Sequence, residues 1–245
     1  MVLTVNDLPS GGYFGSAPPI AMTPFTFLEV LEYNNYVADD SLKKYTRDLK
    51  YLVKMDPGVL KHSLYDLDYL IFMMKVHTIA DNVEFTSSCT CRHCGHDNVI
   101  HFDLGNFKFK DISKDDKKVQ SVLMNGVKYK VKVPTIEHFL SVLEKYNLYQ
   151  KVSSSDVVKL ISLFPEFQTM PNDIEDAVFD ANRDDISVLY YLETLFLTSV
   201  EPVFKECTKC KNERGMAIRI ESLIANMFRD ILLNNASLES KILFE

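Results

Sequence analysis

Two Cys-x-x-Cys pairs, Cys91/Cys94 and Cys207/Cys210, lie more than a hundred residues apart in a chain of 245. No other feature constrains the fold as much. A Cys-x-x-Cys turn presents two thiolates to one side of a metal, and tetrahedral zinc in a structural site takes four ligands of this kind. The pairs complete one shell only if the chain brings its two halves together. Loop length does not forbid this, because each doubling of a closed loop costs only about 0.6 kcal/mol more. The reading is one structural zinc ion held by Cys91, Cys94, Cys207 and Cys210 as a zinc-ribbon-like four-cysteine site. Two alternatives stay open at the level of sequence: a redox-active pair, which needs a thioredoxin-like strand-helix context, and buried thiols without a ligand. Cys89 is left over and overlaps Cys91 as a candidate. With four thiolates there is no open coordination position for Lewis-acid chemistry, so His93, His96 and His101 are read as surface or supporting residues.

Cys91-Arg92-His93-Cys94 is followed by Gly95, a residue suited to the positive φ with which such a turn reverses. Cys207-Thr208-Lys209-Cys210 lacks that glycine, and Asn212 and Gly215 are the nearest residues that tolerate the same geometry. Five cysteines in a chain of this length, with a formal charge of −7 and a pI near 5.4, do not describe a secreted disulfide scaffold. The acidic balance also opposes a nucleic-acid footprint, which depends on clustered Lys and Arg. No apolar run approaches the roughly 20 residues of a spanning helix. The start of the chain lacks the charged and apolar regions of a signal peptide, so the expectation is a cytoplasmic site of synthesis.

The periodicity predicts an α+β fold that is mainly helical, a helical core carrying β-hairpins. Residues 1–22 are rich in Gly, Pro and Ser and read as an extended arm. Residues 23–81 read as helices, with Thr23 and Pro24 at the first start and Ser63-x-x-Asp66 as a capping box at the third. Residues 82–133 hold the first cysteine hairpin and a second hairpin, where Asn125-Gly126 favours a type I′ turn and Lys128, Lys130 and Lys132 mark a wet face. Residues 134–199 return to helices, among them an apolar run from Ile186 to Phe196 read as a buried central helix with Asp184-Asp185 ahead of it. The second cysteine hairpin occupies 200–220, and a helix and tail occupy 221–245. The whole is expected as one compact domain plus the arm. No phosphate-cradling glycine loop, nucleophile elbow or His-Glu-x-x-His is present.

The order of features resembles the baseplate proteins of T-even-like contractile-tailed phages. The residues that carry this are Leu8-Pro9-Ser10-Gly11-Gly12, like an L-P-S-x-G opening; Asp66-Leu67-Asp68-Tyr69-Leu70, like a D-x-x-Y-L helix core; and Cys91-Arg92-His93-Cys94-Gly95, like a C-x-x-C-G knuckle. The similarity is clearest over roughly the first 110 residues, and beyond them Cys207-x-x-Cys210 and the helical texture support it. It implies a virion protein of the tail baseplate, as hub component, wedge component or assembly factor, present in the host cytoplasm during assembly and without enzymatic activity. Its partners would be other tail and baseplate proteins, with self-association as a further contact, and neither a membrane nor nucleic acid. The competing reading is a zinc-ribbon nucleic-acid-binding protein in which Arg92, His93, Lys209 and Lys211 touch phosphates.

Overall fold

The computed structural model describes residues 1–35, 41–79, 85–102, 112, 119–145, 148, 154–197, 203–213 and 216–218. Among them the strands are β1 (Val2–Leu3), β2 (Ile20–Ala21), β3 (Phe85–Thr90), β4 (Asp97–Phe102), β5 (Ser121–Met124), β6 (Val127–Lys130), β7 (Val203–Lys205) and β8 (Met216–Ile218). The α-helices are α1 (Phe27–Asn35), α2 (Ser41–Met55), α3 (Leu67–Ile79), α4 (Ile136–Lys145), α5 (Ser155–Ser162), α6 (Pro171–Phe179) and α7 (Arg183–Phe196). The sheets are all two-stranded and antiparallel, pairing β1 with β2, β3 with β4, β5 with β6 and β7 with β8. This is the mainly helical α+β fold with small hairpins that the periodicity predicts. No described helix is long and apolar enough to cross a membrane.

The chain forms two compact units, and it passes between them several times. The first comprises Met1–Met22, Ala38–Leu70 and Phe109–Ser199. Its core is built from stripes at helical spacing: Leu42, Leu49 and Leu52 of α2, Ile136, Phe139 and Leu143 of α4, Val158 and Ile161 of α5, and Leu192 of α7 are all essentially inaccessible. A buried ion pair lies among them, with Lys159 Nζ at 3.0 Å from both carboxylate oxygens of Asp68 and 4.3 Å from the centre of the Tyr45 ring. The β5–β6 hairpin turns at Asn125 and Gly126, both at positive φ (48° and 76°), as a type I′ turn requires. Lys128, Lys130 and Lys132 are exposed while Tyr129, Val131 and Val133 are buried, so the Lys face is wet as expected.

Residues 1–22 are packed onto this unit instead of standing off as an arm. Leu3, Leu8, Ile20 and Met22 are buried, and β1 pairs with β2. The anchor is Ser10, whose N–H and Oγ each donate to the Asp66 carboxylate at 2.8 Å. Asp66 is therefore not the acidic member of a capping box. The Ser63 side chain accepts from the Tyr65 N–H to cap a 3-10 turn, and α3 begins only at Leu67.

Three other helix assignments differ from expectation. α1 starts at Phe27, because Thr26 and Glu29 satisfy each other's backbone N–H groups and leave Thr23 and Pro24 outside. α6 is an additional helix with Pro171 in its first turn. α7 is capped by the Asn182 side chain, which accepts from the N–H groups of Asp184 and Asp185. It buries Leu189, Leu192 and Leu195 but leaves Ile186, Tyr190 and Tyr191 between 45% and 62% exposed, so it is an amphipathic helix with an open face. The final helix expected at 221–233 lies outside the described residues.

The second unit comprises Thr23–Val37, Ile71–Lys108 and Val200–Glu245. In it the Phe25 N–H donates to Thr78 Oγ1 at 3.1 Å, Lys75 lies 5.1 Å from the Tyr33 ring centre, and Ile71, Phe72, Met74 and Val76 are buried. The β3–β4 and β7–β8 hairpins belong to it, with β3 against β8.

Asp66 gives the first unit a pH dependence. Desolvation pushes its carboxyl up from the ordinary 3.8 to about 6, against the two Ser10 bonds that favour the ionised form. The folded chain then binds more protons than the unfolded one between those values. This contribution to stability is complete below the unfolded value and is lost as the pH rises through the folded one. Urea unfolding across this range should show wild type losing about 3 kcal/mol relative to Asp66→Asn as pH rises. A difference independent of pH would show that the carboxyl is not the titrating group.

Candidate metal centre

Each cysteine pair sits in a turn that the backbone closes by two hydrogen bonds. In the first, the Cys91 N–H donates to the His96 carbonyl and the Gly95 N–H to the Cys91 carbonyl, both at 2.8 Å. In the second, the Cys207 N–H donates to the Asn212 carbonyl at 3.2 Å and the Lys211 N–H to the Cys207 carbonyl at 3.0 Å. The two knuckles are thus the same turn, position for position. The residue four beyond the first cysteine has positive φ in both, 70° at Gly95 and 61° at Lys211. Lys211, not Asn212, takes that role, and Gly215 lies outside the described residues. Lys211 is held there by the same pair of backbone bonds, and its ammonium lies 3.3 Å from Glu206.

The fold brings all four cysteines together, with their Sγ atoms within 4.8 Å of one another. Cys91 to Cys210 and Cys94 to Cys207 are each 3.7 Å. A disulfide needs about 2.05 Å, so neither contact is a bond. Four sulfurs at about 2.3 Å from a tetrahedral zinc stand about 3.8 Å from one another. The two short edges match that figure, and each runs between knuckles, so the donor set and its spacing fit a four-coordinate ion. Cys91 and Cys207 are buried, while Cys94 and Cys210 are half-buried.

The electrostatics of the sulfurs point the same way. N–H groups of Cys210 and Lys209, with the Asn98 and Cys91 side chains, hold the Cys207 thiol down at about 6 against desolvation. Cys210 receives help from the Asn212 N–H, but desolvation and the sulfurs of Cys94, Cys91 and Cys207 outweigh it and push its thiol up to about 12. Cys207 ionises readily and Cys210 resists. A cation placed among the four removes that conflict, since a coordinating thiol is deprotonated outright.

His93, Arg92 and Lys209 are exposed and His96 is partly so, and none joins the sulfur cluster. Cys89 lies in β3 opposite Asn98 of β4 in the backbone register. Asn98 and Thr208 are the residues that sequence reading misses. Both Thr208 N–H and Oγ1 donate to Asn98 Oδ1, at 3.0 and 2.7 Å, joining the second knuckle to β4. The only signal for Asn98 is its type, since Asn is depleted in strands.

The matched turns make opposite predictions for the two positive-φ residues. A Cβ at Gly95 would meet nothing within 4 Å, so Gly95→Ala carries backbone strain alone and should destabilise by about 1 kcal/mol. Lys211→Gly relieves the same strain and should stabilise by about 0.5–1 kcal/mol. Chemical denaturation of the metal-loaded chain checks both, and a loss of stability in Lys211→Gly would contradict the assigned conformation.

The model of the family described as T4 bacteriophage base plate protein matches residues 4–223. No curated protein and no solved structure matches the chain. The match takes in both cysteine knuckles, the Ser10–Asp66 anchor and the helices between them, and the chain belongs to the T4 bacteriophage base plate protein family.

Proposed function

We propose that this chain is a structural component of a contractile-tailed phage baseplate, as hub component, wedge component or assembly factor, and that Cys91, Cys94, Cys207 and Cys210 hold one structural zinc. The observation that carries the first half is the family match across both units. The second half is supported by the 3.7 Å sulfur edges between knuckles. Zinc would take all four thiolates, leaving no position for a substrate, so it supplies cross-linking and not catalysis. The protein then works through contacts with other tail proteins, in the virion and in the host cytoplasm during assembly. Self-association is one form those contacts could take.

The nucleic-acid reading finds no comparable support. Arg92, Lys205, Lys209 and Lys211 are offset by Asp97, Glu206 and Glu213 in the same knuckles and strands, and four thiolates on a divalent ion add negative charge of their own. Clustered, unopposed cations are what displace counterions from a polyanion, and these are opposed.

Native mass spectrometry should find one zinc per chain, lost when Cys207 and Cys210 are both changed to Ser. Retention of the zinc in that double variant would refute a shared site. Deletion of the gene should leave tails unassembled or baseplates incomplete. Normal tails from the deletion, together with absence of the protein from purified virions, would overturn the baseplate role.

A further inference from the structure

We propose that Asn98 is the positioning residue of the metal centre. Its carboxamide fixes the Cys207 thiolate, locks the second knuckle onto the first, and thereby sets how long the centre keeps its metal. This rests on the zinc reading above.

Asn98 is the second residue of β4 and only 3% exposed, and its carboxamide is fully used. Nδ2 donates to the His96 carbonyl at 2.9 Å and to Cys207 Sγ at 3.6 Å. Oδ1 accepts from the Thr208 N–H and Oγ1. The orientation of the amide follows from its partners. Rotated by half a turn, it would set oxygen against the His96 carbonyl and the sulfur, and nitrogen against the Thr208 N–H.

The partners also divide between the two knuckles. The His96 carbonyl that receives Nδ2 also receives the Cys91 N–H, so this side of the carboxamide is tied to the turn carrying Cys91. The other contacts, Cys207 Sγ and both donors of Thr208, belong to the second knuckle. A single side chain therefore spans both halves of the shell and touches one sulfur directly. A thiolate leaves a metal by swinging its sulfur out of the shell. The swing of Cys207 is opposed by the bond to its sulfur and by the pinning of the next residue, Thr208. Groups that orient metal ligands in this way typically contribute 10- to 100-fold in metal affinity.

The test uses the full chain loaded with zinc, and separately with cobalt(II), as wild type, Asn98→Ala, Asn98→Asp and Thr208→Val. Zinc release to a chromophoric chelator and the sulfur-to-cobalt charge-transfer band are read. Asn98→Ala should release zinc about 10- to 100-fold faster than wild type and shift the cobalt band. Asn98→Asp keeps the acceptor for Thr208 but sets a carboxylate beside the sulfur, and should release zinc at least as fast; being nearly isosteric, it carries the test where Asn98→Ala fails to fold. Thr208→Val retains the donor to Cys207 and should leave the cobalt band in place. Release from both Asn98 variants within about twofold of wild type, or a band shift in Thr208→Val equal to that in Asn98→Ala, would overturn the assignment. A wild-type chain that binds neither metal would instead refute the zinc reading itself.

Discussion

A two-stranded sheet buries too little apolar surface to be stable alone in water, and the described sheets of this protein are all two-stranded. In the second unit, β3–β4 and β7–β8 have to be joined to something. The four cysteine sulfurs bring their two knuckles together. A structural zinc in small peptides contributes on the order of 10–16 kcal/mol at neutral pH, comparable with the whole net stability of an ordinary domain. On the proposed zinc reading, one ion would take the place of the hydrophobic core that two short hairpins cannot assemble. The rest of the local geometry follows: matched turns, a lysine in a left-handed conformation, and an asparagine spent entirely on the junction.

The first unit relies on a different kind of fastening. Its N-terminal segment is held by Ser10 on Asp66, and these residues come from two of the stretches that carry the family resemblance, Leu8-Pro9-Ser10-Gly11-Gly12 and Asp66-Leu67-Asp68-Tyr69-Leu70. The carboxylate is buried with two donors, which is not enough to restore its ordinary proton affinity. Leu3, Leu8, Ile20 and Met22 of the same segment are buried, so apolar burial and the polar anchor together hold the start of the chain.

That the four cysteines come together is legible in the sequence because thiolates at Cys-x-x-Cys spacing have few uses, and Gly95 announces the turn. The second knuckle was harder to read, since residue preference for positive φ points to Asn or Gly, whereas at Lys211 two backbone bonds impose the conformation on a residue with no such preference. Asn98 and Thr208 were invisible for a related reason. Their roles depend on a partner more than a hundred residues away, which no local pattern encodes. Among the helices, periodicity found the buried stripes of α2 and α4. It misjudged α7, because Tyr190 and Tyr191 count as apolar in a pattern but sit well in water at their hydroxyl ends. The start of α1 lies beyond Pro24 because the reciprocal Thr26–Glu29 bonds, and not the proline, set it.

The separation of 119 positions from Cys91 to Cys210 also acts as a clock. At typical synthesis rates, on the order of ten seconds pass between the making of the first knuckle and the making of the last thiol. Throughout that interval the β3–β4 hairpin carries a half-site with nothing to close it, while most of the helical unit is being made. The four-cysteine cluster can assemble only after translation has passed Cys210. A chain released early would carry Cys91 and Cys94 without Cys207 and Cys210, and the β3–β4 hairpin without β7–β8.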